Sequence, residues 1–134
     1  EQNTFDTVLL GDALVLTGSN SFFINRENEQ ESQSRYEDKD VCPSAPLWGK
    51  GQLATEAKAA EIENAVANEH PEVTTFLREN GFEHERRAIK IWPKELTWQS
   101  RGDSFTISFS LPTGCFATSV LRECVETLSP INRA

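Results

Sequence analysis

Methionine is absent from this sequence, and cysteine, histidine and long apolar runs are scarce. Cys42, Cys115 and Cys124 are odd in number and widely spaced, with no C-x-x-C pair. That argues against a disulfide framework or a thiolate zinc site and suits reduced thiols in a cytoplasm. His70 and His84 have no further Cys or His at ligand spacing, so no metal is expected. No apolar run approaches the ~18–20 residues that span a bilayer, and a basic stretch followed by an apolar leader is missing. A membrane is therefore not an expected partner. Nucleotide-cradling glycine motifs are lacking, and Gly49-Lys50-Gly51 is too short to replace them. No Gly-x-Ser-x-Gly surrounds a serine. Cys115 lies beside an expected helix N-terminus, where a thiol pKa can fall, but no histidine lies near it in sequence. With no initiator and strand-like sequence already at Thr7 to Leu10, the chain reads as a portion of something longer.

What is present is acidic: the 134 residues carry a net charge of −8. The charge is unevenly distributed. Residues 1–85 hold 6 Lys/Arg and 17 Asp/Glu, whereas residues 86–134 hold 7 and 4. Phosphate binding needs clustered cations, so the acidic part argues against a nucleic-acid partner and the mildly basic part does not. Such asymmetry points to two functional regions.

Residues Val8 to Ile24 read as short strands broken at Gly11-Asp12 and across Thr17 to Ser21. Arg26 to Asp40 is nearly all polar, either a solvated helix or a mobile loop. Two prolines and two glycines in Cys42 to Gly51 argue against regular structure there, and the expectation is a structured loop that packs Trp48 down. Thr55 to Asn68 has Ala59, Ile62, Ala65 and Val66 on one helical face. A second helix starts at His70-Pro71, with Pro at its first position, and stops at Asn80-Gly81. Strands follow from Arg87 through Trp98, with a turn at Ser100 to Asp103. Phe105, Ile107, Phe109 and Leu111 then alternate with polar residues, as a strand with one buried face does. After Gly114 the period changes: Ala117, Val120, Leu121, Cys124, Val125 and Leu128 mark an amphipathic helix. The fold class is α+β: short mixed strands with two or three helices, closed by a strand pair and that helix.

The strand-to-helix junction from Leu111 to Glu123 is the most informative stretch. A turn of this kind can present backbone N–H groups and one exposed side chain together. Phe116 precedes the apolar stripe by one residue, so it either seals the core or offers a stacking surface. Arg122 falls on the polar side of the helix. Arg86, Arg87, Lys90, Lys94 and Arg101 lie close together on an expected strand pair, either an ordinary solvated face or one suited to an RNA backbone. Trp48, Trp92 and Trp98 are packing residues or stacking platforms. Asp12 suits a turn for backbone reasons.

Two segments carry a resemblance. The first is Arg87-Ala88-Ile89-Lys90-Ile91-Trp92-Pro93-Lys94-Glu95-Leu96-Thr97-Trp98. The second is Phe109-Ser110-Leu111-Pro112-Thr113-Gly114-Cys115-Phe116-Ala117-Thr118-Ser119-Val120-Leu121-Arg122-Glu123. Together they closely resemble the C-terminal end of the TruD-type tRNA pseudouridine synthases. Gly11-Asp12-Ala13-Leu14-Val15-Leu16-Thr17-Gly18 and Pro46-Leu47-Trp48-Gly49 are similar to that family's inserted domain. The resemblance implies a cofactor-free tRNA pseudouridine(13) synthase, an isomerase acting on tRNA. A D-arm uridine is flipped out, its N-glycosidic bond is broken, and the uracil is rotated and rejoined through carbon. It implies that Phe116 contacts that uridine. Arg87, Lys90, Arg101 and Arg122 are candidate RNA contacts by their charge and placement, not by the resemblance.

The resemblance also implies an organisation. Residues 1–90 would be a portion of the inserted domain, and residues 91–134 the strand–helix segment that returns to the catalytic domain. The family's catalytic aspartate sits in a Gly-x-Lys-Asp-Lys segment. The Lys39-Asp40 pair here lacks that setting, and the family's Asn-Tyr-Phe-Gly segment has no match. No catalytic residue is therefore expected in this chain. The N-terminal catalytic portion of the same protein becomes an expected partner alongside tRNA, and the isolated chain is expected to be inactive. Phe105, Ile107 and Phe109 would then face a core that is partly absent, favouring self-association or docking. The alternative is a stand-alone, non-enzymatic RNA- or protein-binding module.

Overall fold

In the computed structural model, which describes residues 6–126, four helices and two antiparallel sheets form an α+β chain. The chain divides between Lys90 and Ile91 into two compact units.

The first unit is built on a four-stranded sheet ordered β2-β1-β3-β4, with β1 at Ala13–Leu16, β2 at Phe22–Ile24, β3 at Val41–Leu47 and β4 at Glu85–Ala88. Leu14, Val41 and Cys42 are fully buried at its centre, with Val8, Ala13, Tyr36 and Ala59 around them. The expectation of a loop across Cys42 to Gly51 is corrected here, because β3 is an inner strand that contains both Pro43 and Pro46. In an antiparallel strand successive residues turn their N–H and C=O to opposite neighbours. Pro43 faces β4, since its carbonyl accepts from Ile89 N at 3.0 Å, and Ile89 already lies past the end of that strand. Pro46 then faces the β1 side, where β1 has run out. Each missing N–H falls where the neighbouring strand has ended, so the ladder tolerates both prolines.

The polar Arg26 to Asp40 segment contains a helix, α1 (Glu29–Glu37), capped by Asn28. Asn28 Oδ1 accepts from Glu31 N at 2.9 Å, and its amide donates to the Glu31 carboxylate at 3.0 Å, a reciprocal cap. Ser32 and Tyr36 point inward and anchor an otherwise solvated helix.

Helices α2 (Ala57–Glu69) and α3 (Pro71–Glu79) lie where the apolar spacing placed them, with Pro71 opening α3. Of the expected α2 stripe only Ala59 is buried; Ile62 and Val66 are exposed, as are Val73 and Phe76 on α3. Gly11 fixes the approach to α2. Its carbonyl accepts from Glu56 N at 3.0 Å, its φ is +86°, and a Cβ there would sit 1.8 Å from the Glu56 carbonyl oxygen.

The second unit is a hairpin, β5 (Lys94–Arg101) and β6 (Ser104–Ser110), followed by α4 (Ala117–Cys124). The turn is tighter than the sequence suggested: Arg101 pairs with Ser104, leaving a two-residue Gly102-Asp103 loop with Gly102 at φ +57°. A bulge between Lys94 and Thr97, with Glu95 at φ +53°, twists the start of β5. Trp98 stands opposite Ile107, and its ring lies 5.7 Å from that of Phe105. The alternation is present, but the face it creates is not buried: Phe105 and Trp98 are exposed, and Ile107 and Phe109 are half-buried. Helix α4 is shorter than its periodicity implied. Val125 is extended (φ −146°, ψ 145°), so Cys124 and Val125 line an apolar groove with Leu96, Trp98, Phe105 and Ile107. Leu128, the last position of the expected stripe, lies outside the described residues.

Candidate functional site

Pro112 to Cys115 form the turn that delivers Phe116. Cys115 N donates to Pro112 O at 3.2 Å, and Gly114, at φ +86°, occupies the third turn position, where a left-handed backbone is required. Phe116 is the N-cap residue of α4, with an extended backbone (φ −105°, ψ 121°), and no side chain caps the helix start. The residue is 65% exposed. The inward position on α4 belongs to Val120, which is buried. Within this chain Phe116 is therefore not a core seal but an apolar surface presented at a hydrogen-bonded turn. Arg122 is exposed in the last turn of α4, where a cation complements the helix dipole.

The five clustered basic residues do not share one strand pair. Arg86 and Arg87 lie on β4 in the first unit, whereas Lys94 and Arg101 lie at opposite ends of β5 in the second. Seven residue steps along β5 separate those last two by about 23 Å. The physical reason is the break from Ile89 to Pro93, which ends one sheet before the next begins. Arg87 and Arg101 are exposed. Arg86 turns inward and is only 6% exposed. Its guanidinium grips the Glu63 carboxylate with both terminal nitrogens, at 2.6 Å and 3.1 Å, and donates to Ser44 Oγ at 2.8 Å. Thr55 Oγ1 donates to the same carboxylate at 2.7 Å. These bonds tie α2 to β3 and β4, so Arg86 is a structural residue and not part of a basic solvent face.

Lys90 is also engaged. Its ammonium donates to Asp6 Oδ1 and, at 2.9 Å, to the Tyr36 hydroxyl, which itself donates to Asp6 at 3.2 Å. The Lys90 hydrogen bond and charge hold the Asp6 carboxyl below its ordinary value, and the same bonds raise the lysine. Asp12 serves its turn as expected, with Oδ2 accepting from Leu9 N at 2.7 Å. Burial, with a smaller contribution from Glu63, pushes its carboxyl up. Cys42 is buried with its thiol pushed up by desolvation, which disfavours the nucleophilic thiolate. Trp48 is half-buried and meets His84 edge-on, 4.8 Å between ring centres. Among the described residues no three His, Cys, Asp or Glu side chains converge as metal ligands, and no helix is long and apolar enough to cross a membrane.

Sequence reasoning missed the Arg86–Glu63 pair and the Lys90–Tyr36–Asp6 cluster. Both join residues far apart in the chain, which periodicity does not register.

A family model described as tRNA pseudouridine synthase D (TruD) matches residues 1–124. The chain is 41% identical over 125 residues to the tRNA pseudouridine synthase D of Pseudoalteromonas atlantica, covering 93% of this chain and 36% of that protein. The Vibrio vulnificus protein of the same name is 37% identical over 129 residues, covering 96% and 37%. That of Shewanella oneidensis is 40% identical over 118 residues, covering 88% and 32%. The chain thus spans about a third of the length of these curated relatives.

Proposed function

The chain belongs to the tRNA pseudouridine synthase D (TruD) family, and from that premise we propose that it supplies one wall of the uridine pocket and part of the tRNA cleft of such an enzyme. The observation that carries this reading is Phe116: an aromatic residue, 65% exposed, at the N-cap of α4, inside the segment that matches the family. An isomerase that breaks and remakes a glycosidic bond must first hold the base outside its stack, between aromatic or apolar groups. Phe116 offers such a face, and the turn at Gly114 fixes its direction.

In this reading residues 1–90 belong to the inserted domain, and residues 91–134 are the strand–helix segment that completes the catalytic domain. The target is a D-arm uridine of tRNA. Arg87, Arg101 and Arg122, all exposed, meet phosphates. The attacking carboxylate comes from a Gly-x-Lys-Asp-Lys segment that this sequence does not match. The uncovered apolar face of Leu96, Trp98, Phe105 and Ile107 suits docking to that catalytic portion.

The test is a chimera in which this chain replaces the matching segment, 36% of the length, of the Pseudoalteromonas atlantica relative. The expected result is pseudouridine formation in tRNA by the chimera and none by the isolated chain. A folded chimera that binds tRNA without modifying it would overturn the enzymatic assignment and leave the stand-alone binding module.

A further inference from the structure

The boundary between the two units falls directly after Lys90, and Lys90 is held from both ends of the residue. Its side chain meets the Asp6 carboxylate and the Tyr36 hydroxyl, and its ammonium lies 5.5 Å from the centre of the Tyr36 ring. Its carbonyl accepts from the Cys42 thiol at 3.6 Å, and the preceding amide, Ile89 N, donates to Pro43 O at 3.0 Å. Among the described residues, the groups that hold it come from three places: the segment before β1, helix α1 and strand β3. Tyr36 and Cys42 are buried, so two of the anchors are fixed in the core. An exposed ion pair alone contributes little. Here it closes a set of contacts whose backbone half is hydrogen-bonded to the inner strand β3.

We propose that Lys90 is a positioning residue, a latch that fixes where and in which direction the chain leaves the first unit, and not a contact to RNA phosphate. The geometry separates these two roles. A lysine that neutralises a phosphate releases counterions and steepens the salt dependence of RNA binding by about one unit of slope. A latch already neutralised by Asp6 leaves that slope alone and instead suppresses local opening of the backbone. The inference concerns the chain itself; only its RNA arm rests on the proposed function.

The test uses the whole chain with Lys90→Met, Lys90→Arg and Asp6→Asn, followed by amide hydrogen exchange of the peptide spanning residues 88–92. Lys90→Met and Asp6→Asn are expected to speed exchange there about tenfold, the scale of a lost hydrogen bond to a charged group. Lys90→Arg, which can donate to both partners, is expected to stay near the parent rate. In the chimeric synthase Lys90→Met is expected to leave the slope of log Kd against log salt unchanged. Unchanged exchange in Lys90→Met, or a slope reduced by about one, would overturn the proposal. Exchange needs no RNA, so a chimera that fails to bind tRNA would sink the proposed function while the latch is still decided.

Discussion

Replacing Phe116 by Ala separates the two roles an aromatic can play at a strand-to-helix turn. Phe116 is 65% exposed, so about a third of its surface is covered within the chain. An aromatic side chain offers about 200 Å²; a third of that, at about 25 cal/mol per Å², is worth at most about 2 kcal/mol. The figure is an upper bound, because the unfolded chain also covers some of its apolar surface. No cap is lost, since neither Phe nor Ala accepts from a helix-start N–H. Urea unfolding of the isolated chain should therefore report a loss below about 2 kcal/mol, against about 3–5 kcal/mol for a Phe truncated in a packed core. Turnover should respond differently. Stacking of one base on an aromatic is worth about 1–3 kcal/mol, or about 5- to 150-fold in rate if lost from the transition state. The assay is kcat/KM for pseudouridine formation by the chimera, with and without the substitution. A stability loss of core size, or turnover within twofold of the parent, would refute the stacking wall and leave Phe116 as packing.

Arg86→Ala should cost about 3–5 kcal/mol in denaturant unfolding, because it strands the Glu63 carboxylate in a nearly enclosed setting. Arg86→Met with Glu63→Leu should recover much of that; a double variant as unstable as the single one would contradict the pairing argument. Asp12 carries a raised folded pKa, so the native state holds its proton to higher pH than the unfolded chain does. Its contribution is therefore fully present below the unfolded value and is lost as pH rises through the folded one. The difference in stability between Asp12→Asn and the parent, followed upward from about pH 3.8, should move in favour of Asn; a difference flat in pH would refute it. Gly11→Ala should unfold at clearly lower temperature, since its Cβ would strike the Glu56 carbonyl at a φ of +86°. An unchanged Tm would mean the approach to α2 gives way freely.

Much of the fold was legible where one local signal matched one element. Pro71 at the start of α3, Asn80-Gly81 at its end and the alternation of Phe105, Ile107 and Phe109 each carried their own geometry. Misreadings arose where tertiary context outweighed local preference. Pro43 and Pro46 read as loop residues because proline lacks an N–H, and they sit in β3 because the neighbouring strands end at just those positions. Helix α1 was ambiguous because its inward residues are Ser32 and Tyr36, too polar to make an apolar stripe. Val125 satisfied the helical period yet leaves the helix to line the groove beside Trp98 and Phe105. At the candidate site the strand–turn–helix junction was readable in sequence, with Phe116 left open as seal or stacking surface. The inward turn of Arg86 was not, because its partner Glu63 lies on another element.

The two prolines of β3 also determine which misalignments of the sheet are possible. Sliding β3 by two residues one way would set Pro43 opposite Arg87, whose carbonyl would lose its donor. Sliding it by two the other way would set Pro46 opposite Ala13, with the same consequence on β1. A one-residue slide would turn Val41 and every other inward side chain outward. The present alignment is thus bracketed on both sides by a residue that cannot donate, and a strand poor in side-chain pattern acquires a unique setting from what its backbone lacks. Replacing either proline would remove one of the two stops, so the sheet would gain a hydrogen-bond donor and lose a barrier to mispairing.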